Sequence, residues 1–261
     1  MHEACHQHLG ADHPDTFRCL NNLACALRGQ GRHDEAEALH RQVLEARQHV
    51  LGADHPDTLG SLNNLANALD SQGKHGEAEA LHRQALEAWQ LVAGADHPDM
   101  LRSLSNLANA LHGQERYGEA EALHRQVLET RQRVLGADHQ DVLRSLSNLS
   151  SALHGQGKYG EAEALHRQAL EALQLVLGAD HPDTLSSLNN LACALADQGK
   201  HGEAEVLHRQ ALQARQRVLG ADHPDTLSSL NNLACALADQ GKHGEAEALH
   251  REALHAGRRA K

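Results

Sequence analysis

The amino-acid sequence predicts an all-α fold, a right-handed superhelical solenoid of antiparallel helix pairs, and three observations support this prediction. A 42-residue unit occurs six times in the 261-residue chain without insertion or deletion. Each unit contains two apolar stripes with the spacing of amphipathic helices. Glycine follows these stripes in nearly every unit. A fixed period of this length is typical of arrays in which each unit packs only against its neighbours.

The boundaries of the units follow from glycines that recur at the same position. The six expected units are residues 10–51, 52–93, 94–135, 136–177, 178–219 and 220–261. Residues 1–9 align with the end of a unit, so we expect them to be the remnant of a preceding second helix. The uninterrupted period leaves no length for a separate catalytic domain within these units.

Near its start, every unit but the fourth has the tetrapeptide Asp-His-Pro-Asp, which has the composition of a helix N-terminus. In the fifth unit, Asp180 or His181 can occupy the N-cap, and Pro182 lies where a first-turn proline is tolerated. Asp183 then places negative charge at the positive end of the helix dipole. The fourth unit has Gln140 in place of the proline. The tetrapeptide therefore predicts the start of the first helix of each unit, called helix A here.

Both helices of a unit are predicted from apolar residues that lie three and four positions apart. In the fifth unit, the stripe of helix A consists of Leu185, Leu188, Leu191, Ala192 and Leu195. Helix A should end near Gly199, because glycine accepts the positive φ that commonly ends a helix. The second helix, helix B, should run from about Glu203 to Leu219, with Gly220 after its last residue.

Helix B has a charged outer face in every unit. A glutamate lies four residues before an arginine, an order that stabilises a helix by about 0.2–0.5 kcal/mol per pair. The pairs are Glu37–Arg41, Glu79–Arg83, Glu121–Arg125, Glu163–Arg167, Glu205–Arg209 and Glu247–Arg251. We therefore expect these side chains to support individual helices at the surface.

The string Leu-Asn-Asn-Leu-Ala at residues 188–192, followed by Leu195, Gly199 and Ala211-Leu212, resembles the tetratricopeptide repeat (TPR). The joint Gly-Ala-Asp-His-Pro-Asp-Thr resembles the longer 42-residue form of this repeat in kinesin light chains. The resemblance covers residues 10–261. It implies a concave wall lined mainly by helix A, and a noncatalytic scaffold that binds a protein or peptide.

Departures from the family pattern lead to specific expectations. Histidine replaces the usual helix B aromatic at His40, His82, His124, His166, His208 and His250. We expect these rings to be packed and neutral, the alternative being metal binding. Glu115 replaces the glycine between helices A and B, which would cost about 1 kcal/mol if its φ is positive. Together with Gln140, this substitution suggests that the third and fourth units are the least regular.

The concave face that the resemblance implies contains an unbroken column of asparagines. Its members are Asn22, Asn64, Asn106, Asn148, Asn190 and Asn232. An amide offers both donors and acceptors, so a ladder of amides can bind the backbone of an extended peptide. The alternative is that these amides cap neighbouring turns or contact only water.

Three flanking columns are expected to determine specificity. They contain Arg18, Arg102 and Arg144 in the first, Asn67 and Asn109 in the second, and Asp197 and Asp239 in the third. Positive charge therefore occurs in the first four units and negative charge in the last two. An acidic peptide should prefer the N-terminal half. The alternative is a solvated charge pattern without a ligand.

Composition and charge argue against several classes of function. The net charge is −11, with 35 acidic and 24 basic residues, so a nucleic-acid backbone is not the expected partner. No segment has the apolar length of a signal peptide or a membrane span, so we expect no membrane association and a cytoplasmic location. The five cysteines lack CxxC spacing, which fits reduced thiols.

Catalytic and metal-binding motifs are not found. The 23 histidines form no HExxH motif, and the Gly-Gln-Gly segments lack the spacing of a phosphate-binding loop. We therefore expect no metal site, no cofactor and no enzymatic activity. The sequence favours an adaptor that binds an extended acidic peptide in its concave groove. The alternative is a structural spacer or sensor array of a larger multidomain signalling protein, for example beside a nucleotide-binding switch domain.

Overall fold

A computed structural model describes residues 13–259, so the predicted remnant at residues 1–9 lies outside the described residues. The described residues form twelve α-helices and no β-strand. Each described helix pair falls within one 42-residue repeat. The chain divides into two compact units, residues 1–130 and 131–261. The prediction of an all-α fold built from helix pairs is therefore confirmed.

Helix A of each repeat has an odd number and helix B an even number. The first five helices are α1 (Pro14–Gly29), α2 (His33–Leu51), α3 (Pro56–Asp70), α4 (His75–Val92) and α5 (Pro98–Gly113). The others are α6 (Tyr117–Leu135), α7 (Gln140–Gly155), α8 (Tyr159–Leu177), α9 (Pro182–Asp197), α10 (His201–Leu219), α11 (Pro224–Asp239) and α12 (His243–Arg259). Consecutive helices pack against each other from α1 to α5 in the first compact unit, and from α7 to α12 in the second.

Histidine, not the preceding aspartate, is the N-cap of each helix A. The cap residues are His13, His55, His97, His139, His181 and His223. In each case the ring Nδ1 accepts the backbone N–H of the aspartate two residues later, at 3.1 to 3.2 Å. This bond satisfies one N–H group that the helix leaves without an internal partner. Helix α7 therefore starts at Gln140 even without the proline.

The turn between helices A and B has a residue with positive φ in every repeat. Glycine occupies this position in five of the six repeats, at Gly31, Gly73, Gly157, Gly199 and Gly241. Glu115 has a φ of 61°, so the left-handed conformation considered from the sequence is confirmed. The Arg116 amide still donates to the Leu111 carbonyl at 3.0 Å, the equivalent of the bond from Lys200 to Leu195.

The expectation that the third and fourth repeats are the least regular is wrong for helix length. Helices α5 to α8 have 16, 19, 16 and 19 residues, the same lengths as α9 and α10. The second repeat instead has the shorter pair, with 15 and 18 residues. The third and fourth repeats keep full-length helices because the cap at His139 and the turn at Glu115 make the same hydrogen bonds as in the other repeats.

The core consists mainly of leucine and alanine between neighbouring helices. Trp89 is fully buried and stacks on the His97 ring with 5.0 Å between centroids. Five of the helix B histidines are also buried, namely His40, His82, His124, His166 and His208. The sixth, His250, is exposed, because no further helix packs against α12 within the described residues. Packing of the histidine ring is thus confirmed in five repeats but not in the sixth.

Candidate functional site

The asparagine column lies on helix A, with one residue in each repeat. Asn22 and Asn190 are exposed, and Asn64, Asn106, Asn148 and Asn232 are partly buried. In the second compact unit, Asn232 Nδ2 donates to Oδ1 of Asn189 in the preceding repeat at 3.0 Å. One amide of the column therefore joins two repeats, while the exposed amide of Asn190 is accessible to a ligand. Of the flanking amides, Asn67 is partly buried and Asn109 is exposed.

In four repeats, the asparagine that directly precedes the residue of the asparagine column pairs with the helix B histidine, a contact not predicted from the sequence. His82 Nδ1 lies 2.9 Å from Asn63 Oδ1, and His208 Nδ1 lies 3.0 Å from Asn189 Oδ1. The first and sixth repeats have the same pair at 3.2 and 3.3 Å. Because an amide oxygen only accepts, Nδ1 carries the proton in these pairs. Burial lowers the pKa of His82 and His208 to about 4, so both rings are neutral near pH 7.

Each predicted arginine reaches back to an aspartate in the first turn of its own helix. The pairs are Arg18–Asp15 at 3.0 Å, Arg102–Asp99 at 2.8 Å, and Arg144–Asp141. All three arginine side chains are more than half exposed. Exposed pairs of this kind contribute about 0–1 kcal/mol, so a ligand carboxylate can replace the aspartate at little cost.

A cavity of about 260 Å³ in the second compact unit brings two of the predicted residues together. It is lined by side chains of α7, α8 and α9, and its apolar part consists of Leu143, Ala169 and Leu173. Arg144 and Asn190 lie in the same lining, together with serine hydroxyls. Gln140, the residue that replaces the joint proline, also lines it and donates to Asp183 Oδ2 at 3.1 Å. The cavity thus combines an apolar floor, an arginine and an amide.

The helix B glutamates join consecutive repeats, a role that was not expected from the sequence. Glu205 accepts from Gln240 Nε2 at 2.8 Å and from Lys242 Nζ at 2.7 Å, both in the next repeat, and also from Arg209. Glu37, Glu79 and Glu163 make the equivalent contacts, with arginine in place of lysine for Glu79. These four residues are called the hub glutamates below.

The pKa of each hub glutamate is lowered, so all four are ionised carboxylates near pH 7. Hydrogen bonds, first of all from the lysine of the next repeat, lower the pKa of Glu37 and Glu163 to about 2. The sequence signal for this contact is the recurrence of glutamine and a basic residue two positions apart, such as Gln198 and Lys200. That signal shows which residues recur, but not that they reach the glutamate of the preceding repeat.

The described cysteines, Cys19, Cys25, Cys193 and Cys235, form no disulfide within residues 13–259, and Cys5 lies outside the described residues. Within residues 13–259, no group of three or more His, Cys, Asp or Glu side chains could hold a metal ion. None of the described helices has the length and apolarity needed to cross a membrane.

Comparison with known proteins gives a clear family match. The family model described as tetratricopeptide repeat matches residues 2–49, 26–91, 61–133, 99–174, 141–215 and 194–258. A search of curated proteins finds no match to the sequence. The matched segments together span residues 2–258 and overlap every helix described above.

Solved structures show the same fold. A putative kinesin light chain from Podosopora anserina with nearly identical TPR-like repeats is 29% identical, with a TM-score of 0.67 over 79% of this chain and 98% of that chain. BtubC (BKLC) from P. vanneervenii is 22% identical, with a TM-score of 0.71 over 86% and 90%. The apo form of RapI is 13% identical, with a TM-score of 0.64 over 93% and 97%. The last two similarities concern the fold alone.

Proposed function

Because the chain belongs to the tetratricopeptide repeat family, we propose that it is a noncatalytic adaptor that binds an extended peptide on the helix A face of its repeats. A TPR array is a scaffold suited to protein–protein interaction. The observation that supports peptide binding is the 260 Å³ cavity, in which Asn190 and Arg144 lie beside an apolar floor. The likeness to a putative kinesin light chain supports an adaptor role.

The chemistry of this cavity fits a peptide better than a small polar ligand. The Asn190 amide can donate to a peptide carbonyl and accept from a peptide N–H. Leu143, Ala169 and Leu173 offer apolar contact to one side chain of the same segment. A peptide that uses both groups is bound by its backbone and by one anchor residue.

We further propose that the bound segment is acidic near Arg144. The guanidinium is exposed, and its pair with Asp141 lies within one helical turn, so an incoming carboxylate can take the place of Asp141. Charge-assisted bonds from arginine to a carboxylate are stronger than neutral hydrogen bonds. Arg18 and Arg102 offer the same contact in the first compact unit. The lack of a disulfide among the described cysteines fits a cytoplasmic location.

The test uses nine-residue synthetic peptides whose central residue is fixed and whose other positions are an equal mixture of all amino acids except cysteine. Sets with Glu, Gln, Arg, Lys or Leu at the centre are passed over the immobilised 261-residue chain, and the retained fraction is measured. We expect Asn190→Ala to lower retention of every set, because it removes a backbone contact. We expect Arg144→Glu to lower the ratio of the Glu set to the Gln set about fivefold.

A matched control separates the site from general charge effects. Arg217→Glu makes the same charge change on an exposed helix B residue of the same compact unit. It should leave the ratio of the Glu set to the Gln set unchanged. Retention that neither Asn190→Ala nor Arg144→Glu alters would contradict the proposed site, and equal effects of Arg144→Glu and Arg217→Glu would contradict the acidic preference.

A further inference from the structure

A second cavity, of about 210 Å³, lies in the second compact unit where the helix A segments α9 and α11 contact each other. Asp197 and Asp239, the last residues of these two helices, line it together with Cys193, Cys235 and the buried ring of His208. Asn232 of the asparagine column belongs to the same lining. The cavity is therefore part of the helix A face proposed above for peptide binding.

The His208 ring presents an acceptor to this cavity. The side chain is only 2% exposed, and its Nδ1 donates to Asn189 Oδ1 at 3.0 Å. The proton is thus on Nδ1, which leaves a lone pair on Nε2. Nε2 has no hydrogen-bond partner among the described residues. Because His208 lines the cavity, a donor group of a ligand can bind to this lone pair.

The two carboxylates give the cavity a negative charge that no nearby lysine neutralises. Lys200 and Lys242, the basic residues closest in sequence to Asp197 and Asp239, donate instead to Glu163 and Glu205, both at 2.7 Å. Asp197 accepts from His154 Nε2 at 2.6 Å, and Asp239 makes no ion pair within residues 13–259. No lysine or arginine lines the cavity.

The two thiols and the alanines form the less polar part of the wall. Burial, with a smaller effect of Asp197, raises the pKa of the Cys193 thiol, which is therefore protonated near pH 7. A protonated thiol behaves as a small apolar group. Ala196 and Ala236 extend this surface. Such a wall suits the aliphatic stem of a long side chain whose charged end reaches a carboxylate.

From this arrangement we propose that the cavity between α9 and α11 binds a basic side chain, arginine or lysine, of the peptide held on the helix A face. The stem lies against Cys193, Cys235 and the alanines, and the cationic end donates to Asp239, Asp197 and His208 Nε2. The two carboxylates and His208 Nε2 are acceptors, and a guanidinium or ammonium group offers only donors. The proposal rests on the proposed function, since it specifies one residue of the peptide.

The experiment uses the peptide sets described above, with the Arg, Lys and Leu sets as probes. On the unmodified chain, the Arg set or the Lys set should be retained more than the Leu set. Asp239→Asn should reduce this excess about tenfold, because it removes a charge-assisted hydrogen bond and a carboxylate. Asp239→Glu, which keeps the charge, should restore part of it. A larger excess for Arg than for Lys would mean that the pocket binds the planar guanidinium.

The control Glu171→Gln removes the same charge from an exposed site on α8 outside the cavity. It should leave the retained excess unchanged, and circular dichroism should show that all variants keep their helices. If the Leu set is retained through Asn190 but neither basic set exceeds it, or Asp239→Asn and Glu171→Gln act alike, this pocket is refuted while the proposed function stands. If no set is retained, the proposed function fails and the pocket fails with it.

Discussion

Replacing His166 by phenylalanine should make the protein less sensitive to mild acid. His166 is 4% exposed, and burial, with a contribution from His154, lowers its pKa to about 4. The ring Nδ1 has no hydrogen-bond partner, because Ser147 stands where four other repeats have the asparagine of the histidine pair. Phenylalanine therefore removes a titrating group without breaking a hydrogen bond at Nδ1. In the unfolded chain, histidine has a pKa of about 6.5.

The sign and size of the effect follow from these two pKa values. As the pH falls, the unfolded chain binds the proton first, so acid favours unfolding. The stability that depends on neutral His166 is complete above about pH 6.5 and declines as the pH falls towards about 4. At pH 5.5 the loss is about 1.4 kcal/mol, since one pKa unit corresponds to about 1.36 kcal/mol. For a chain of this size, that loss lowers the melting temperature by about 3–6 °C.

The assay is thermal unfolding followed by circular dichroism at pH 8 and pH 5.5. The gap between the two melting temperatures should be about 3–6 °C smaller for His166→Phe than for the unmodified chain. His250→Phe is the matched control, because His250 holds the same position in the sixth repeat but is exposed. It should leave the gap unchanged. An equal rise at both pH values for His166→Phe would refute the reasoning, since it would mean that the ring titrates alike in both states.

Two further substitutions test the contacts that hold the repeats together. Glu163→Gln should lower the free energy of unfolding by about 1–3 kcal/mol, because the carboxylate loses charge-assisted bonds. The Glu247 side chain is 63% exposed and, within residues 13–259, pairs only with Arg251, so Glu247→Gln should change this free energy by less than about 0.5 kcal/mol. Equal losses in urea unfolding would show that the bonds between repeats add nothing. Glu115→Gly should raise stability by about 0.5–1 kcal/mol, because glycine relieves the positive φ of 61°. A loss of stability there would show that side-chain contacts of Glu115 outweigh the backbone strain.

The helices and their ends could be predicted because they depend on residues close together in the sequence. The period fixed the number of helices, and the five glycines aligned with Glu115 indicated its positive φ. The histidine cap was one of two alternatives, and the sequence could not separate them because aspartate and histidine can both accept an N–H at the cap position. The pairing of Arg144 with Asp141 could also have been predicted, since the two residues are three positions apart on one helix.

Contacts between repeats could not be predicted, because they join residues far apart in the sequence. Glu205 and Gln240 are 35 positions apart, and Asn189 and Asn232 are 43 apart. Alignment of the repeats shows which positions recur, but it does not show which of them face each other. The asparagine column illustrates the difference, since Asn232 bonds to the preceding repeat whereas Asn190 is exposed.

The hub glutamates and the candidate pockets use different positions of the repeat, which explains how the residues of the binding face can differ from one repeat to the next. The hub contacts use helix B, the end of helix A and the start of the next helix B, and they recur with nearly the same residues at Glu37, Glu79, Glu163 and Glu205. The charged pocket residues lie on other positions of helix A, where the repeats differ, as at Arg144 and Ser186 or at Gly155 and Asp197. A substitution in a pocket column therefore leaves the hub contacts unchanged. For this reason, the charge of the binding face can differ between neighbouring repeats without loss of the contacts that join them.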